Sequence, residues 1–301
     1  MSTVLLSLPG NETLTESLSV ALDSANGKIF EVGQTVLRRF PDQESYVRID
    51  SSLDGKSAIL VSSLSRPDEK ILPLIFIADT ARELGASAVG LVAPYLAYMR
   101  QDRRFHPGEG VTSKYFAHLL SSSFDWLVTV DPHLHRHSSL AELYDIRTEV
   151  VHAAGAVAEW IRANVARPLI VGPDSESEQW VSAVAKAIGA PHIVLEKVRS
   201  GDRDVAVSIP QVDQWRQHTP VLIDDIVSTA RTMIATVKHL TAANMRSPVC
   251  VAVHAIFADS AYEDLAAAGA GQIVSCNTIV HPSNAIDLTS SLTSAVRSIL
   301  G

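Results

Sequence analysis

Short apolar runs alternate with amphipathic stretches along the whole chain. The runs are rich in Val, Ile and Leu and lie at residues 4–8, 58–63, 88–95 and 126–131 in the first half, and at 169–174, 192–197, 221–225, 249–257 and 273–277 in the second. Runs without polar positions are typical of strands buried on both faces. Between them, apolar residues recur at helical spacing, as at 71–84, where Gly85 ends the pattern. The alternation predicts an α/β fold with a mainly parallel sheet.

The two halves of the chain align with each other. Leu60 aligns with Leu222, and residues 89–92 align with 251–254 at the same offset. The next strands align only if the first half carries about 16 additional residues, which fall within 98–120; long insertions in compact domains commonly serve function. Loose similarity between any two α/β halves is the alternative explanation.

Duplication predicts two similar domains, at residues 1–148 and 149–301. The sequence places their boundary near residues 146–157, where the sheet of the first half is complete. We also expect the last helix to pack back on the N-terminal domain.

Composition and charge exclude several classes of protein. The chain has 301 residues, of which 47% are hydrophobic, so it can bury a sizeable core. A net charge of −8 disfavours binding to a nucleic-acid backbone, although local cations can still bind a small anion. There is no apolar run of about 18 residues and no cationic leader. Cys250 and Cys276 form no C-x-x-C pair, which favours a reducing compartment. We therefore expect a cytoplasmic protein that binds neither nucleic acid nor membrane.

The segment VLIDDIVSTARTM, residues 221–233, carries the strongest local motif. A buried strand is predicted to end at Asp224 and Asp225, whose carboxylates can accept hydrogen bonds from vicinal sugar hydroxyls. The turn that follows leads into a helix, where backbone N–H groups and hydroxyls can bind an anion. Its residues are Ser228, Thr229, Ala230, Arg231 and Thr232. The pattern indicates a site for a ribose 5-phosphate group; an Asp pair beside ordinary Ser/Thr capping is the alternative.

This segment resembles the phosphoribosyl-binding signature of type I phosphoribosyltransferases and ribose-phosphate diphosphokinases, also called phosphoribosyl diphosphate synthases. Further segments resemble only the diphosphokinases, in the same order and over essentially the whole chain: FPDQE, PYLAYMRQDR, VDPHLH, GPDSE, LEKVRSGDRDV and HPSNAIDLTSSL. Ordinary phosphoribosyltransferases are about half this length and lack RQDR. The Glu-Lys-x-Arg form and the R-F-x-P-G-E run are most similar to archaeal-type members.

The resemblance implies two tandem phosphoribosyltransferase-like domains of type I. It also implies a Mg²⁺-dependent transfer of the diphosphoryl group of ATP to the anomeric hydroxyl of ribose 5-phosphate, giving phosphoribosyl diphosphate and AMP. The N-terminal domain would bind ATP and the C-terminal domain ribose 5-phosphate. The implied ATP contacts are Phe40, Asp42, Glu44, Arg100, Gln101, Asp102, Arg103 and His133. In the family the hairpin with Phe40 reaches a neighbouring subunit, so we expect a homo-oligomer.

The resemblance also implies roles around the phosphates. Lys197 and Arg199 would lie on a flexible loop and stabilise charge on the transferred group. Asp174 and Ser175 belong to the implied pyrophosphate loop, and His133 and Asp174 are the implied Mg²⁺ contacts. His135 and His137 are expected to be surface residues.

Three positions depart from the family pattern. Gln43, Glu176 and Arg231 each stand where the family usually has glycine, a residue often used for left-handed backbone or close approach to phosphate. The departures allow other readings: a catalytically weakened regulatory paralogue, a nucleotide- or phosphate-sensing module, or a phosphoribosyltransferase. Retention of Lys197 and Arg199 favours an active enzyme.

Overall fold

The protein is described from a computed structural model, which covers residues 2–23, 29–134, 136–173, 177–200, 204–208 and 212–301. The described chain divides into two compact units. The first comprises residues 1–151 together with 289–301, and the second comprises residues 152–288.

The first half of the chain forms a parallel sheet and an antiparallel hairpin. Its strands are β1 (Thr3–Ser7), β2 (Phe30–Val32), β3 (Thr35–Arg39), β4 (Ser45–Ile49), β5 (Ser57–Val61), β6 (Ala88–Ala93), β7 (Trp126–Val130) and β8 (Arg147–Val151). Its helices are α1 (Glu12–Asp23), α2 (Pro67–Glu83) and α3 (Thr112–Ser123), and α4 (Ala154–Asn164) follows. The sheet has the order β2-β1-β5-β6-β7-β8 with every described pair parallel, while β3 and β4 pair with each other.

The second half repeats this topology. Its strands are β9 (Pro168–Gly172), β10 (His192–Val194), β11 (Glu196–Ser200), β12 (Asp204–Ser208), β13 (Thr219–Val227), β14 (Val249–Ala255), β15 (Gln272–Cys276) and β16 (Asn284–Ile286). Its helices are α5 (Glu178–Ile188), α6 (Arg231–Ala242), α7 (Ala261–Ala267) and α8 (Thr289–Leu300). The parallel sheet has the order β10-β9-β13-β14-β15-β16, and β11 pairs with β12.

The predicted fold class is confirmed: two domains have parallel sheets flanked by helices. The apolar runs correspond to the inner strands and to the outer strand β10. The outer strands β2, β8 and β16 gave no such run because they keep exposed positions, and the two hairpins lie outside the parallel sheets. Between β6 and α3 lie residues 94–111, whereas residues 256–260 alone join β14 to α7, so most of the extra length of the first half is in this connection.

The last helix of each repeat packs in the other unit. Helix α8 contacts α1, β7 and β8 within the first unit, and Arg297 donates a hydrogen bond to the carbonyl oxygen of Ala21. Helix α4 follows β8 in the chain, yet it contacts α5 and β16 within the second unit. The buried face of α8 consists of Leu292, Thr293, Ala295, Val296 and Ile299. The core of the first unit is therefore completed by residues from the far end of the sequence.

Two further observations concern the chain as a whole. None of the helices among the described residues has both the length and the apolar character needed to cross a membrane. Cys250 and Cys276 are buried in the second unit and form no disulfide with each other, and burial raises the pKa of Cys250 to about 12.

Leu292→Ala is expected to destabilise the first unit selectively. Leu292 is buried in α8, and deleting a buried Leu side chain costs about 2–5 kcal/mol of unfolding free energy. Hydrogen exchange should then accelerate in α1, β7 and β8, while β13 and β14 keep their protection. The control is Leu72→Ala, because Leu72 is 61% exposed and its loss should cost under about 0.5 kcal/mol. Equal acceleration in both units would contradict the assignment of α8 to the first.

Candidate active site

The Asp224–Asp225 pair lies inside strand β13 rather than at its end, since the strand continues to Val227. Both carboxylates are partly buried and engage nearby backbone. The N–H of Asp225 donates to Oδ1 of Asp224 at 3.1 Å, and the N–H of Ile226 donates to Oδ1 of Asp225 at 2.7 Å. These contacts orient the two side chains, and a carboxylate group is able to accept hydrogen bonds from hydroxyl groups.

The turn after β13 begins helix α6 without a side-chain cap. Ala230 is the N-cap residue, with φ 53° and ψ 9°, and its side chain makes no capping hydrogen bond. The carbonyl oxygen of Ser228 accepts a hydrogen bond from the N–H of Ala258 at 3.1 Å, which ties the turn to the β14–α7 connection. The first-turn N–H groups of α6 thus form an anchored, positively polarised end suited to an anion.

The left-handed residue in this turn is Ala230, not Arg231. Arg231 was the position flagged in the sequence for replacing a family glycine, but it is the first residue of α6 and is exposed. The helical start therefore does not require glycine there. Strain at Ala230 could not be recognised from the sequence, because alanine is common near the start of a helix.

The β3–β4 hairpin presents an aromatic and cationic cluster at its turn. Phe40 is 39% exposed and meets Tyr46 edge to face, with ring centres 5.8 Å apart. The guanidinium carbon of Arg38 lies 4.8 Å from the centre of the Phe40 ring and 4.1 Å from that of Tyr46. Arg38 was missed in the sequence, although its i, i+2 spacing from Phe40 would place both on one face of a strand. The exposed ring is available for stacking.

The turn of this hairpin adopts a glycine-type conformation without glycine. Gln43 has φ 75°, and its N–H donates to the carbonyl oxygen of Phe40 at 2.9 Å. Arg39 donates to the carbonyl oxygen of Gln43 at 3.0 Å, and Oδ1 of Asp42 accepts from the N–H of Glu44 at 3.2 Å. Gln43 thus adopts a positive φ, which glycine would adopt without strain. Asp42 and Glu44 are exposed.

The residues of the RQDR motif differ in exposure. Arg100 and Arg103 are exposed, Gln101 is partly buried, and Asp102 is buried. The carboxylate of Asp102 is paired with Arg136, whose Nη1 lies 2.9 and 2.8 Å from its two oxygens. Arg103 stacks over Phe105, with 4.9 Å between the guanidinium carbon and the ring centre. Arg136 was not identified from the sequence, since it lies outside every motif.

Tyr98 anchors the start of the same insertion. Its φ is 60°, which is unusual for a bulky side chain, and its hydroxyl donates a hydrogen bond to Asp68 in α2. This hydrogen bond is the main cause that raises the pKa of Tyr98 to about 12. The ring also packs against Phe116 of α3, with centres 4.8 Å apart. A cavity of about 360 Å³ adjoins these side chains, lined by Asp68, Ile71, Leu72, Tyr98, Thr112, Tyr115, Phe116 and Leu119.

His133 lies just beyond the carboxyl end of β7 in a left-handed conformation. Its φ is 55°, that of Asp131 is 29°, and the N–H of His133 donates to the carbonyl oxygen of Asp131 at 2.9 Å. In the described portion of the chain, no three His, Cys, Asp or Glu residues group as metal ligands. Asp174, Ser175, Glu176 and His135 lie outside the described residues. The structure thus places one of the two implied metal contacts.

Lys197 and Arg199 lie in a β-hairpin rather than a loop. Both belong to strand β11, where Lys197 pairs with Val207 and Arg199 with Val205 of β12. The segments EKVRS and DVAVS are rich in valine, which favours strands and accounts for the difference from the expected loop. Within its repeat, β11–β12 has the place that β3–β4 has in the other, between the second strand and the third strand of the sheet.

The parallel-sheet domain is repeated, and its second copy carries an Asp-Asp pair before the start of a helix. These features define a protein of the phosphoribosyltransferase-domain class. Residues 139–288 match the family described as the phosphoribosyl transferase domain. Residues 3–123 match the family described as the N-terminal domain of ribose phosphate pyrophosphokinase, another name for ribose-phosphate diphosphokinase. The chain belongs to the ribose-phosphate pyrophosphokinase family, as the motifs had indicated.

Similar proteins support this membership along most of the chain. A ribose-phosphate pyrophosphokinase from Methanobrevibacter smithii is 31% identical over 272 residues, which cover 86% of this chain and 90% of that protein. One from Methanopyrus kandleri is 33% identical over 266 residues, covering 87% and 90%. The expected similarity to archaeal-type members is confirmed.

The fold also matches a solved structure. The phosphoribosylpyrophosphate synthetase from Mycobacterium smegmatis is 22% identical, with a TM-score of 0.85 over 100% of this chain and 99% of that one. At this identity the likeness concerns the fold, and it extends over both repeats.

Substitutions at Ala230 should distinguish left-handed from helical backbone. Ala230→Gly is expected to raise the free energy of unfolding by up to about 1 kcal/mol or leave it unchanged, because glycine adopts positive φ freely. Ala230→Val should lower it by at least about 1 kcal/mol, since a β-branched residue is an outlier there. Denaturant titration measures both. Ala183→Val, at an exposed position in α5, is the control with a cost of about 0.5 kcal/mol. Equal costs at 183 and 230 would contradict the left-handed conformation.

Proposed function

We propose that this protein transfers the diphosphoryl group of ATP to ribose 5-phosphate, giving phosphoribosyl diphosphate and AMP. The observation that carries the proposal is the open start of α6 at Ala230, directly after the Asp224–Asp225 pair. It combines an anion site with two carboxylates, the two features that a sugar phosphate with vicinal hydroxyls requires. Membership of the diphosphokinase family supports the same reaction.

Ribose 5-phosphate is proposed to bind along the β13–α6 connection. Its phosphate would receive hydrogen bonds from backbone N–H groups at the start of α6 and from the hydroxyls of Ser228, Thr229 and Thr232. Arg231 adds a cation in the first turn of α6, which offsets the negative charge of the carboxylates. Asp224 and Asp225 would accept hydrogen bonds from the ribose hydroxyls, so the anomeric carbon would have a fixed position.

ATP is proposed to bind through the first-half motifs. Phe40 would stack on adenine, with Asp42 and Glu44 as acceptors for its amino group. Arg100, Gln101 and Arg103 would contact the nucleotide, with Arg100 on a phosphate. Exposure of Phe40 at a hairpin turn is consistent with a stacking role toward the ATP of a neighbouring copy. On this proposal the active enzyme is a homo-oligomer.

The transfer itself needs positioning and charge neutralisation more than covalent catalysis. The anomeric oxygen forms a bond to the β-phosphorus of ATP, the bond from that phosphorus to the α–β bridging oxygen breaks, and the hydroxyl proton is released. AMP leaves with the bridging oxygen. Lys197 and Arg199 would stabilise the negative charge that develops on the transferred phosphates and on the leaving AMP. Asp174 and Ser175 would hold the diphosphate product.

Mg²⁺ is the proposed metal. His133 is a nitrogen donor, and Mg²⁺ prefers oxygen ligands, so His133 fits only alongside the carboxylate of Asp174 and phosphate oxygens of ATP. The bound ion would neutralise charge on those phosphates. His133 also lies where a ligand is expected in a parallel α/β sheet, beyond the carboxyl end of a strand.

The substitutions of family glycines are compatible with activity. Gln43 adopts the positive φ that glycine would supply, and Arg231 occupies an ordinary helical position. Neither observation favours a weakened paralogue or a sensing module, and Glu176 lies outside the described residues.

AMP release is the direct test of the proposed function. The protein should form AMP only when ATP, ribose 5-phosphate and Mg²⁺ are all present, in a ratio of one AMP to one phosphoribosyl diphosphate. Omission of ribose 5-phosphate should abolish AMP, because water is excluded as the acceptor in a positioned transfer. Folded protein that binds ATP and releases no AMP would contradict the enzyme proposal and favour a sensing module.

Lys197→Ala is expected to lower kcat by at least about 100-fold while ATP affinity changes little, since its cation would act on charge that develops during transfer. Steady-state kinetics with an ATP titration measures both quantities. Lys186→Ala is the matched control, because Lys186 is an exposed lysine in α5. An unchanged kcat in Lys197→Ala would remove this residue from the mechanism.

A further inference from the structure

Asp102 is a buried carboxylate within the exposed insertion between β6 and α3. Its side chain is 5% exposed, whereas Arg100 and Arg103 on either side of Gln101–Asp102 are exposed. Its described partner is Arg136, whose Nη1 lies 2.9 Å from Oδ1 and 2.8 Å from Oδ2. The sequence motif suggested that Asp102 contacts the nucleotide. Burial and pairing leave its carboxylate little accessible surface for a ligand.

An ion pair in which the carboxylate is buried and the guanidinium is 37% exposed restricts the position of the buried partner. Removing a carboxylate from water is costly unless a cation and hydrogen bonds compensate, so loss of either partner leaves an unpaired buried or half-buried charge. The position of the segment around Asp102 therefore depends on the position of Arg136. Surface ion pairs exert no comparable constraint, because water replaces the lost partner.

Arg136 also contacts the insertion at a second point. Its guanidinium carbon lies 5.9 Å from the centre of the Phe105 ring, over which Arg103 also stacks at 4.9 Å. Arg136 itself follows His133 by three residues, in the connection between β7 and β8. The pair thus joins the two first-half segments that carry proposed ATP contacts after β6 and β7.

We infer that Asp102 and Arg136 form a positioning pair for ATP. Arg136 holds the insertion against the β7–β8 connection, so that Arg100 and Gln101 on one segment and His133 on the other keep the spacing that ATP requires. Asp102 does not contact the nucleotide. This inference rests on the proposed function, in that ATP is the ligand whose binding the pair supports.

A double-mutant cycle tests the pair. The variants are Asp102→Asn, Arg136→Gln and the double variant, each measured by direct ATP titration without turnover and by steady-state kinetics. Each single change is expected to raise the Kd and KM for ATP about tenfold, with the KM for ribose 5-phosphate unchanged. The double variant should be no weaker than either single one, because the same interaction is lost once. Arg136→Lys, which keeps a cation, should recover part of the affinity.

Two measurements separate positioning from direct contact and from general damage. If Asp102 contacted the nucleotide base directly, Asp102→Asn would alter the preference for ATP over GTP. If Asp102 only positions the insertion, the preference should be unchanged. The control is Arg82→Gln, which removes the ion pair between Arg82 and Asp125 at 3.2 Å. Arg82 matches Arg136 in exposure, because their side chains are 38% and 37% exposed. It should leave the Kd for ATP unchanged, and thermal unfolding of every variant reports any loss of folding.

Three results would overturn the inference: additive losses in the double variant, a changed ATP-to-GTP preference in Asp102→Asn, or full ATP affinity in Arg136→Gln. Its failure is distinguishable from failure of the proposed function. Unaltered protein that binds ATP without releasing AMP contradicts the reaction and still permits the titration cycle. Unaltered protein that does not bind ATP would overturn both.

Discussion

Parallel pairing of buried strands is the constraint on which the rest of the structure depends. Because every described pair in the two main sheets is parallel, the carboxyl ends of neighbouring strands meet at one edge of each sheet. The RQDR insertion follows β6, His133 follows β7, and the turn with Ala230 follows β13. Residues far apart in sequence thereby reach the same edge within their own unit. Burial of the apolar strands stabilises each repeat, and the connections at the strand ends can therefore differ in sequence and length between the two repeats.

The sequence predicted the repeated α/β fold because its cause is local and periodic: inner strands are uninterrupted apolar runs. It missed β2, β8 and β16, whose exposed positions break that pattern. Motifs located the candidate site residues, and the roles of those residues remain predictions. The hairpin around Lys197 was not predicted because the charged residues of β11 interrupt the apolar pattern, although its valine favours a strand.

What the sequence could not provide was the set of contacts between distant segments. The pairing of Asp102 with Arg136 spans 34 positions and depends on where two connections lie in the fold. The strain at Ala230 was not predicted for a different reason. The β13–α6 turn imposes the left-handed conformation on Ala230, whereas the residue that replaces a family glycine is Arg231. At Gln43 the same reasoning succeeded, since the hairpin keeps positive φ there. A replaced glycine therefore indicates which turn is unusual, and only the backbone geometry shows which residue of that turn has a positive φ.

The position of α8 in the first unit has a consequence for folding during synthesis. The first unit comprises residues 1–151 and 289–301, so a growing chain contains nearly all of it long before α8 is made. Until then the surface of α1, β7 and β8 that α8 covers remains exposed, and such surfaces favour aggregation. All elements of the second unit, residues 152–288, are synthesised before the last element of the first unit. The half that is translated first is therefore the last to become fully folded, which makes a chain shortened at its C-terminus defective in its N-terminal domain.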